Sequence, residues 1–375
     1  MLQAVKLAEQ GRGRVEPNPL VGCVIVKNGI KVSQGYHQCF GESHAEVNAL
    51  SGLDASQITG STIYVTLEPC AHFGKTPPCV DLLIKACPKL VVIGLEDPFP
   101  EVAGRGIRRL REAGIEVLLN IQREACRQLA APYLKRLQTG LPWIIAKWAM
   151  TLDGRLATHS GSSKWITNDV ARQHAHQVRS CVDGILVGIG TLLADDPMLT
   201  ARPAGADTFG GIRFSAFGDR VPIRIVMDRT ARTPIYSQLV RSAGIYQTII
   251  ACGPDAERKK IDLLRSNGCE VIVCSADDAI TMVRDLTKPL VRSGMTNLLV
   301  DGGPRLIGAF MDHCMVDEVH VYIAPKVVGG LPTVVPNRGD GVPTMALAQR
   351  FTAGRWEILG EDMFFSGLCN YSDGT

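Results

Sequence analysis

The chain has 375 residues, of which 46% are hydrophobic and 21% are charged, and its formal net charge is +3. Because a typical domain has about 150 residues, this length favours two domains, each large enough to bury an apolar core. So small a charge gives no support to a nucleic-acid partner. The sequence shows neither a secretory signal pattern nor an apolar run of the roughly 18 residues that a membrane helix requires, so we expect a cytoplasmic protein without a membrane partner.

Apolar strands alternate with amphipathic helices along the whole chain, which predicts the α/β class. In the first part, strands are predicted over 21–27, 31–37, 62–67, 90–94 and 115–119. Helices are predicted over 2–10, from an N-cap at Ser43, over 77–86 and over 104–113. Asn28 and Gly29 tolerate positive φ, so they predict a hairpin turn between the first two strands.

A break is predicted at 139–142, where a long polar helix ends and a strand over 143–148 begins. Further strands are predicted over 184–189, 223–227 and 297–300. Two of them run into glycine-containing turns, at Gly190-Thr191 and from Asp301 to Pro304, and glycine lets a phosphate approach backbone amides. Neither turn is a full G-x-G-x-x-G, so ordinary turns remain the alternative to dinucleotide cradles.

The pattern that carries most chemistry is His44-Ala45-Glu46 followed by Pro69-Cys70 and Cys79. Zinc held by one histidine and two cysteines keeps a fourth position for water and makes that water a nucleophile near neutral pH. Glu46 is then free to carry protons. Nucleobase deaminases use H-x-E followed by P-C-x-x-C, but here eight residues, 71 to 78, separate the cysteines.

Two readings of this pattern compete. The predicted elements place His44 and Cys79 at helix N-termini and Cys70 just beyond a strand end, where α/β proteins bind ligands. A structural zinc with four protein ligands is the alternative, and it does not explain a glutamate beside His44. The twelve cysteines include no C-x-x-C pair, which disfavours a zinc ribbon or a thioredoxin-type site.

Over almost its entire length the chain resembles the bifunctional riboflavin-biosynthesis deaminase-reductases. In the first half, the similar motifs are Pro17-Asn18-Pro19, His44 to Val47, Leu67 to Cys70, and His72 to Cys79. In the second half, they are Lys147, Thr151 to Arg155, Ser163 to Thr167, Leu193 to Pro197, and Tyr322 to Lys326. The long interval between the two cysteines is normal for this family.

The resemblance implies a cytidine-deaminase-like three-layer domain over 1–142 and a dihydrofolate-reductase-like α/β domain over 143–375. The first would deaminate 2,5-diamino-6-ribosylamino-4(3H)-pyrimidinone 5′-phosphate with one zinc ion per chain. The second would reduce the ribosyl group of the product to ribityl with NADPH. The implied partner is thus a small phosphorylated pyrimidine, and the implied assembly is a homodimer or tetramer.

In the deaminase half, the resemblance assigns zinc to His44, Cys70 and Cys79 and proton transfer to Glu46. Asn18 is a candidate for the pyrimidine edge, because a carboxamide offers both donor and acceptor, although an Asx turn would also account for it. His72 and Lys75 lie between the cysteines and are candidates for contact with substrate or its phosphate. His72 is also a rival zinc ligand by its type, but the resemblance assigns that ligation to Cys79.

In the reductase half, the residues expected to contact NADPH are Ala149, Trp165, Thr191, Asp195, Gly303, Pro304, Arg305, Leu306, Ile307, Gly308 and Ala309. Those expected to contact substrate are Ser163, Arg179, Leu199, Arg202 and Asp301. Lys147 is a candidate catalytic residue that polarises or protonates the substrate, although a buried lysine may simply pair with an acid. Asp301 departs from the family, where glutamate is common at this position. The aspartate side chain keeps the charge but is about one methylene group shorter, so its predicted contact with substrate is less certain than those of the arginines.

Other features of the sequence favour ordinary structural roles, and two rival functions are disfavoured. The arginines at 105, 108, 109 and 111 could bind phosphate but fit a solvated helix face better. His174 and His176 do not share a helix face, so we expect them to be solvated. A nucleic-acid base deaminase is expected to have a basic surface and aromatic side chains that stack on bases, and a net charge of +3 with 6% aromatic residues gives this little support. A decayed, non-catalytic protein would not be expected to keep Glu46 and the three zinc ligands.

Overall fold

The computed structural model describes residues 1–73, 77–99, 102–202, 221–331 and 334–371. These residues divide into two compact units, one over Met1–Gly140 and one over the described residues from Leu141 onward. Both units alternate strands and helices, which confirms the predicted α/β class. Within the described ranges, each helix is either too short or too polar to cross a membrane.

A five-stranded sheet in the order β2-β1-β3-β4-β5 forms the centre of the first unit. Its strands are β1 (Gly22–Lys27), β2 (Ile30–Tyr36), β3 (Thr62–Val65), β4 (Leu90–Ile93) and β5 (Glu116–Leu119). Its helices are α1 (Leu2–Ala8), α2 (Ala45–Leu50), α3 (Ala55–Ile58), α4 (Cys79–Ala86), α5 (Arg105–Glu112) and α6 (Arg123–Thr139), and a 3₁₀ turn, Glu9–Gly11, follows α1.

The first two strands form the predicted hairpin. Asn28 and Gly29 have φ of 51° and 77°, and β1 pairs antiparallel with both β2 and β3. Strands β3, β4 and β5 pair in parallel. The carboxyl ends of these three strands therefore meet at one edge of the sheet, where the chain segments after Val65 and Ile93 lie.

The start of α2 differs from the prediction by one residue. His44, not Ser43, is the N-cap, because its backbone is extended (φ −71°, ψ 167°) and the helix begins at Ala45. The Ser43 carbonyl is instead an acceptor for the His37 ring and the Asn48 amide. The imidazole of His44 therefore precedes the helix, while Glu46 lies in its first turn.

Packing of α2, α4 and α5 against the sheet forms the core of this unit. Ile25, Ile63 and Ile93 of the strands are fully buried, together with Leu83 and Leu110 of the helices. Burying an aliphatic side chain of this size contributes about 1.5–3 kcal/mol. The buried apolar core thus fixes the positions of the strand ends that precede the polar residues.

The second unit is built on a nine-stranded sheet in the order β10-β9-β8-β7-β11-β6-β12-β14-β13. Its strands are β6 (Trp143–Thr151), β7 (Gly184–Gly188), β8 (Ile223–Met227), β9 (Thr248–Cys252), β10 (Glu270–Val273), β11 (Asn297–Asp301), β12 (Glu318–Ala324), β13 (Arg350–Leu359) and β14 (Asp362–Asn370). Its helices are α7 (Asp169–Ser180), α8 (Ile189–Asp195), α9 (Gln238–Arg241), α10 (Arg258–Ser266), α11 (Ala279–Arg292) and α12 (Pro304–Asp312), with a 3₁₀ turn at Met345–Leu347.

Seven neighbouring strands, from β10 to β12, are parallel, and β14 and β13 continue the sheet antiparallel. Alternate residues of the central strands enter two apolar clusters on opposite faces. Leu298 and Val300 belong to one cluster and Leu299 to the other. Both faces are therefore covered, as expected of a parallel sheet whose strands read as continuous apolar runs.

One predicted turn of this unit is wrong and the other is confirmed. Helix α8 begins at Ile189, so Gly190 and Thr191 lie in its first turn rather than in a loop. Helix α12 begins with Pro304 at its first position, directly after two glycines. Proline is favoured there because the amide it lacks has no partner inside the helix.

Candidate active sites

The predicted zinc ligands converge in the first unit. The Nδ1 atom of His44 lies 3.5 Å from the Cys70 sulfur and 3.3 Å from the Cys79 sulfur, and all three ligand atoms lie within 4.8 Å of one another. One imidazole nitrogen and two sulfurs are ligands that zinc prefers, and three protein ligands are typical of a catalytic site. The donor set therefore fits a zinc ion.

Local structure favours a thiolate at this point. The Cys79 amide, at the start of α4, donates to the Cys70 sulfur at 3.3 Å. The pKa of the Cys70 thiol is lowered, because the Cys79 side chain, the His44 ring and that amide all hydrogen-bond its sulfur. A thiolate is the form in which cysteine binds a metal.

Glu46 is buried next to these ligands. Its side chain is 3% exposed and lines the same cavity as His44 and Cys70. Burial first, and then the nearby Cys70, raise the pKa of Glu46 to about 7. A carboxyl group with a pKa near neutrality can both accept and return a proton.

A histidine that the sequence analysis did not single out orients Asn18. The His37 Nδ1 atom lies 3.1 Å from the Ser43 carbonyl oxygen, which can only accept, so Nδ1 carries the proton. In the neutral ring Nε2 is then an acceptor, and the Asn18 amide nitrogen donates to it at 3.1 Å. This bond fixes the amide orientation and leaves the Asn18 oxygen as an acceptor for a ligand.

These groups line a cavity of about 360 Å³. Its described lining residues are Pro17, Asn18, Pro19, Val21, His37, Phe40, Gly41, Glu42, His44, Glu46, Leu67, Glu68, Cys70, His72, Asp97, Phe99, Val102, Tyr133, Arg136 and Leu137. His72 is among them, and its buried Nδ1 atom has no hydrogen-bond partner in the described part of the chain. Lys75, the other predicted substrate contact between the cysteines, lies outside the described residues.

Two acidic residues support the cavity wall. Glu68 precedes Pro69-Cys70 and accepts four backbone hydrogen bonds, from the amides of Asp97, Gly104, Gly106 and Ile107 at 3.0–3.3 Å. The Asp97 carboxylate accepts the Tyr133 hydroxyl and the Phe99 amide. The sequence motif around Cys70 included Glu68 but assigned it no role. No local sequence pattern identified Asp97 or Tyr133.

In the second unit, Asp301 at the end of β11 joins two predicted site residues. It lies 3.1 Å from the Lys147 ammonium on β6 and 2.9 Å from Nε of Arg179 on α7. Burial alone would raise the pKa of Asp301, but Arg179 and then Lys147 hold it well below its usual value. Because β11 pairs with β6 in register, Asp301 and Lys147 are direct neighbours.

The turn between β11 and α12 meets the start of α8. Gly302 and Gly303 have φ of 88° and 86°, and the position of a Cβ on Gly303 would be 3.3 Å from the Thr191 hydroxyl. A Cβ on Gly302 would meet nothing within 4 Å. An open glycine turn before a helix N-terminus fits a phosphate group, so this turn suits a dinucleotide.

The other predicted cofactor residues differ in exposure. Leu306 and Ile307 belong to the apolar core, and Gly308 lies against the backbone of Arg338 and Gly339, so their cofactor role stays a prediction. Pro304, Arg305 and Ala309 lie on the same helix. Ala149 lies on β6, opposite Tyr322 of β12.

Trp165 is 65% exposed, and two basic residues contact its ring and its backbone. The Arg172 guanidinium lies 4.5 Å from the centre of its ring, and the Lys326 ammonium donates to the Trp165 and Ile166 carbonyls at 2.9 and 2.8 Å. This arrangement leaves much of the indole available to a ligand. Neither Arg172 nor Lys326 was assigned a role from the sequence.

Other predicted pairs are also close. The Ser163 hydroxyl lies 3.5 Å from the Asp195 carboxylate. Leu199 is buried with φ of 49°, and the Arg202 amide donates to the His176 ring at 3.3 Å. The first of these contacts brings a candidate substrate residue next to a candidate cofactor residue.

The expectation that His174 and His176 are solvated is wrong. The His174 Nδ1 atom lies 2.8 Å from the hydroxyl of the buried Tyr322, and its ring packs edge-on to Phe364. Burial lowers the pKa of each histidine to about 4. The sequence spacing correctly separated the two faces, but both histidines of α7 are partly buried.

Known proteins match both units. Residues 1–95 match the cytidine and deoxycytidylate deaminase zinc-binding region, and residues 142–365 match the RibD C-terminal domain. The fold and sites thus define a zinc-binding deaminase joined to a reductase of the class that uses a nicotinamide cofactor.

Full-length relatives extend this result. The riboflavin biosynthesis protein RibD of Actinobacillus pleuropneumoniae is 43% identical over 97% of this chain and 93% of its own length. The structure of Acinetobacter baumannii RibD is similar with a TM-score of 0.81, 34% identity, and coverage of 99% of this chain and 98% of that chain.

A structure from Thermotoga maritima is also similar, with a TM-score of 0.80, 31% identity, and coverage of 99% of this chain and 97% of that chain. It is described as a diaminohydroxyphosphoribosylaminopyrimidine deaminase/5-amino-6-(5-phosphoribosylamino)uracil reductase. The chain belongs to the RibD family of riboflavin-biosynthesis enzymes, which combine a deaminase with a reductase.

Proposed function

We propose that this chain deaminates 2,5-diamino-6-ribosylamino-4(3H)-pyrimidinone 5′-phosphate and then reduces the ribosyl group with NADPH, giving 5-amino-6-ribitylaminouracil 5′-phosphate. Residues 1–142 would form the deaminase domain and residues 143–375 the reductase domain. The observation that carries the proposal is the convergence of His44, Cys70 and Cys79 next to a cavity that His44, Cys70 and the buried Glu46 line. The name of the Thermotoga maritima relative supports the choice of substrate.

In the deaminase, His44, Cys70 and Cys79 would hold one zinc ion. When bound, zinc supplies a water molecule activated as a nucleophile at neutral pH. Glu46 would take a proton at its carboxylate from that water and return it to the departing amine. Its position in the first turn of α2, two residues after His44, and its burial support this assignment.

Substrate recognition would begin with Asn18. Because His37 accepts one amide proton of Asn18, the Asn18 oxygen is left to accept from an N–H of the pyrimidine. His72, whose Nδ1 has no partner among the described residues, and Lys75 would contact the ribose phosphate. A buried ring nitrogen without a partner costs free energy, and a ligand group that bonds to it recovers that cost.

In the reductase, Lys147 would polarise or protonate the ribosyl group while Asp301 holds its ammonium in place. When bound, the nicotinamide supplies the hydride for this step. Arg179 and Arg202 would bind the substrate phosphate through their planar donor groups, next to Ser163 and Leu199. Asp301, shared by Lys147 and Arg179, would link the reacting centre to the phosphate anchor.

The nucleotide of NADPH would lie along the glycine turn before α12. Gly303 and the residues up to Ala309 would contact it from one side and Thr191 from the other, and the close approach of Thr191 to Gly303 supports this. Trp165, Asp195 and Ala149 would complete the cofactor site. We also propose a homodimer or tetramer, which sedimentation of the purified chain would test.

A coupled assay tests the proposal. Purified, zinc-loaded protein should release ammonia from the pyrimidine phosphate and then oxidise NADPH, with NADH a poorer donor. Ammonia release without NADPH oxidation would restrict the activity to the first domain. Deamination of cytosine in single-stranded DNA or RNA, with no turnover of the free pyrimidine, would overturn the proposal.

A further inference from the structure

The deaminase cavity contains one permanently charged cation among its described lining residues, and nothing above gives it a role. That residue is Arg136, in the last turn of α6. The other charged groups on the described wall are acidic: Glu42, Glu46, Glu68 and Asp97. A phosphorylated substrate entering such a cavity meets several carboxylates and needs a cation to offset them.

The Arg136 guanidinium is available to a ligand. Its one hydrogen bond within the described part of the chain is long, 3.4 Å from Nη1 to the Pro17 carbonyl oxygen. In the part of the chain that the structure describes, no carboxylate lies within 4.0 Å of it, although the cavity wall contains four acidic residues. One of the five N–H groups of this half-buried guanidinium is thus engaged within the described residues, and four remain for a ligand.

The helix aims this side chain at the cavity. Tyr133, Arg136 and Leu137 all line it, and they are spaced three and four residues apart, so they form one face of α6. Tyr133 is anchored to Asp97 on the opposite segment. The carbonyl that Arg136 contacts precedes Asn18, the proposed pyrimidine contact, so the guanidinium lies beside the pyrimidine site.

We infer that Arg136 binds the 5′-phosphate of the substrate in the deaminase cavity. A guanidinium offers a planar pair of donors to phosphate oxygens, and such charge-assisted bonds are about twice as strong as neutral ones. This inference rests on the proposed function, since it assigns a residue to the phosphate of that substrate. It adds a permanent charge to the contacts expected from His72 and Lys75.

A pair of substrates separates this role from a structural one. Ammonia release is measured for the pyrimidine ribosyl phosphate and for the same compound without its phosphate, with zinc-loaded, full-length wild type and Arg136→Met. For the phosphorylated compound we expect kcat/KM to fall about tenfold to hundredfold, mainly through KM. For the dephosphorylated compound the variant should equal the wild type, and Arg136→Lys should be intermediate. Arg127→Met, on the exposed side of α6 where Arg127 pairs with Glu124, should change neither substrate.

Each other result overturns the inference. If Arg136→Met lowers kcat/KM equally for both compounds, the residue only supports the loop around Pro17. If it changes neither, the phosphate is bound elsewhere. Ribose 5-phosphate gives a second readout, because it should inhibit ammonia release competitively in the wild type and about tenfold more weakly in Arg136→Met. Failure of the wild type to deaminate either compound would instead overturn the proposed function itself.

Discussion

The two candidate sites differ in how their charged groups are balanced. In the first unit, Glu46 and the two cysteines lie together, and no lysine or arginine of the described residues pairs with Glu46. In the second unit, the buried Asp301 is paired with both Lys147 and Arg179. The first site therefore depends on an added cation, whereas the buried acid of the second is paired with cations of the chain itself.

Removing a metal ligand should have the largest effect, and it should be confined to the first site. We expect Cys79→Ser to lose both zinc, measured by mass spectrometry, and ammonia release, because two protein ligands hold zinc poorly. The control is Cys87→Ser at the exposed end of the same helix, which should keep both. NADPH oxidation with deaminated substrate should persist in both variants. Zinc retention with full activity in Cys79→Ser would contradict the ligand assignment.

Glu46→Gln separates proton transfer from metal binding. We expect zinc content to stay at the wild-type level while ammonia release falls about 10²- to 10⁴-fold, because the amide cannot carry the proton. Glu124→Gln, exposed on α6, serves as the control for a surface glutamate. Ammonia release by Glu46→Gln within a few-fold of the wild type would remove Glu46 from the mechanism.

Breaking the ion pairs of the second site should affect stability as well as reduction. Asp301→Asn leaves Lys147 and Arg179 without their shared anion, and breaking a buried pair costs about 3–5 kcal/mol. Asp277→Asn removes an exposed pair with Arg229, which should cost at most about 1 kcal/mol. Chemical unfolding measures both, and NADPH oxidation should be lost only in Asp301→Asn. Equal costs for the two variants would show that Asp301 is not a buried anchor.

The smallest expected effect is a pH dependence of the second unit. Burial lowers the pKa of His174 to about 4, from an ordinary value of about 6.5. A group with a depressed pKa in the folded state contributes stability above its unfolded pKa and loses it as pH falls through the folded pKa. The melting temperature should therefore fall between about pH 6.5 and pH 4, and His174→Gln should flatten this slope. An unchanged slope in His174→Gln would exclude His174 as its source.

Much of the fold could be predicted from local patterns. The hairpin at Asn28-Gly29, the strand over 223–227 and the helix from Pro304 follow from turn chemistry, apolar runs and proline placement. The starts of α2 and α8 differ from the predicted ones, because backbone geometry at His44 and Ile189 decides where each helix begins. Such details depend on how the preceding strand enters the helix.

The sites divide in the same way. The sequence named the residues that the structure brings together at His44, Cys70 and Cys79, and at Lys147, Arg179 and Asp301. It missed His37, Asp97, Tyr133 and Arg136, whose types and spacing are ordinary for a strand end or a helix face. It also misplaced His174, because α7 is covered on a side that the spacing alone assigned to solvent.

The sequence by itself therefore determined the α/β class, the two parts of the chain and the chemical types of the ligands. Each of these depends on neighbouring residues, through periodicity, turn preferences and motif spacing. Only the tertiary structure decided which distant groups meet: β11 lies between β6 and β7, so Asp301 reaches Lys147, and α6 covers the cavity, so Arg136 approaches Pro17. Sheet order and helix docking set these contacts, and neither is encoded in any short segment of the chain.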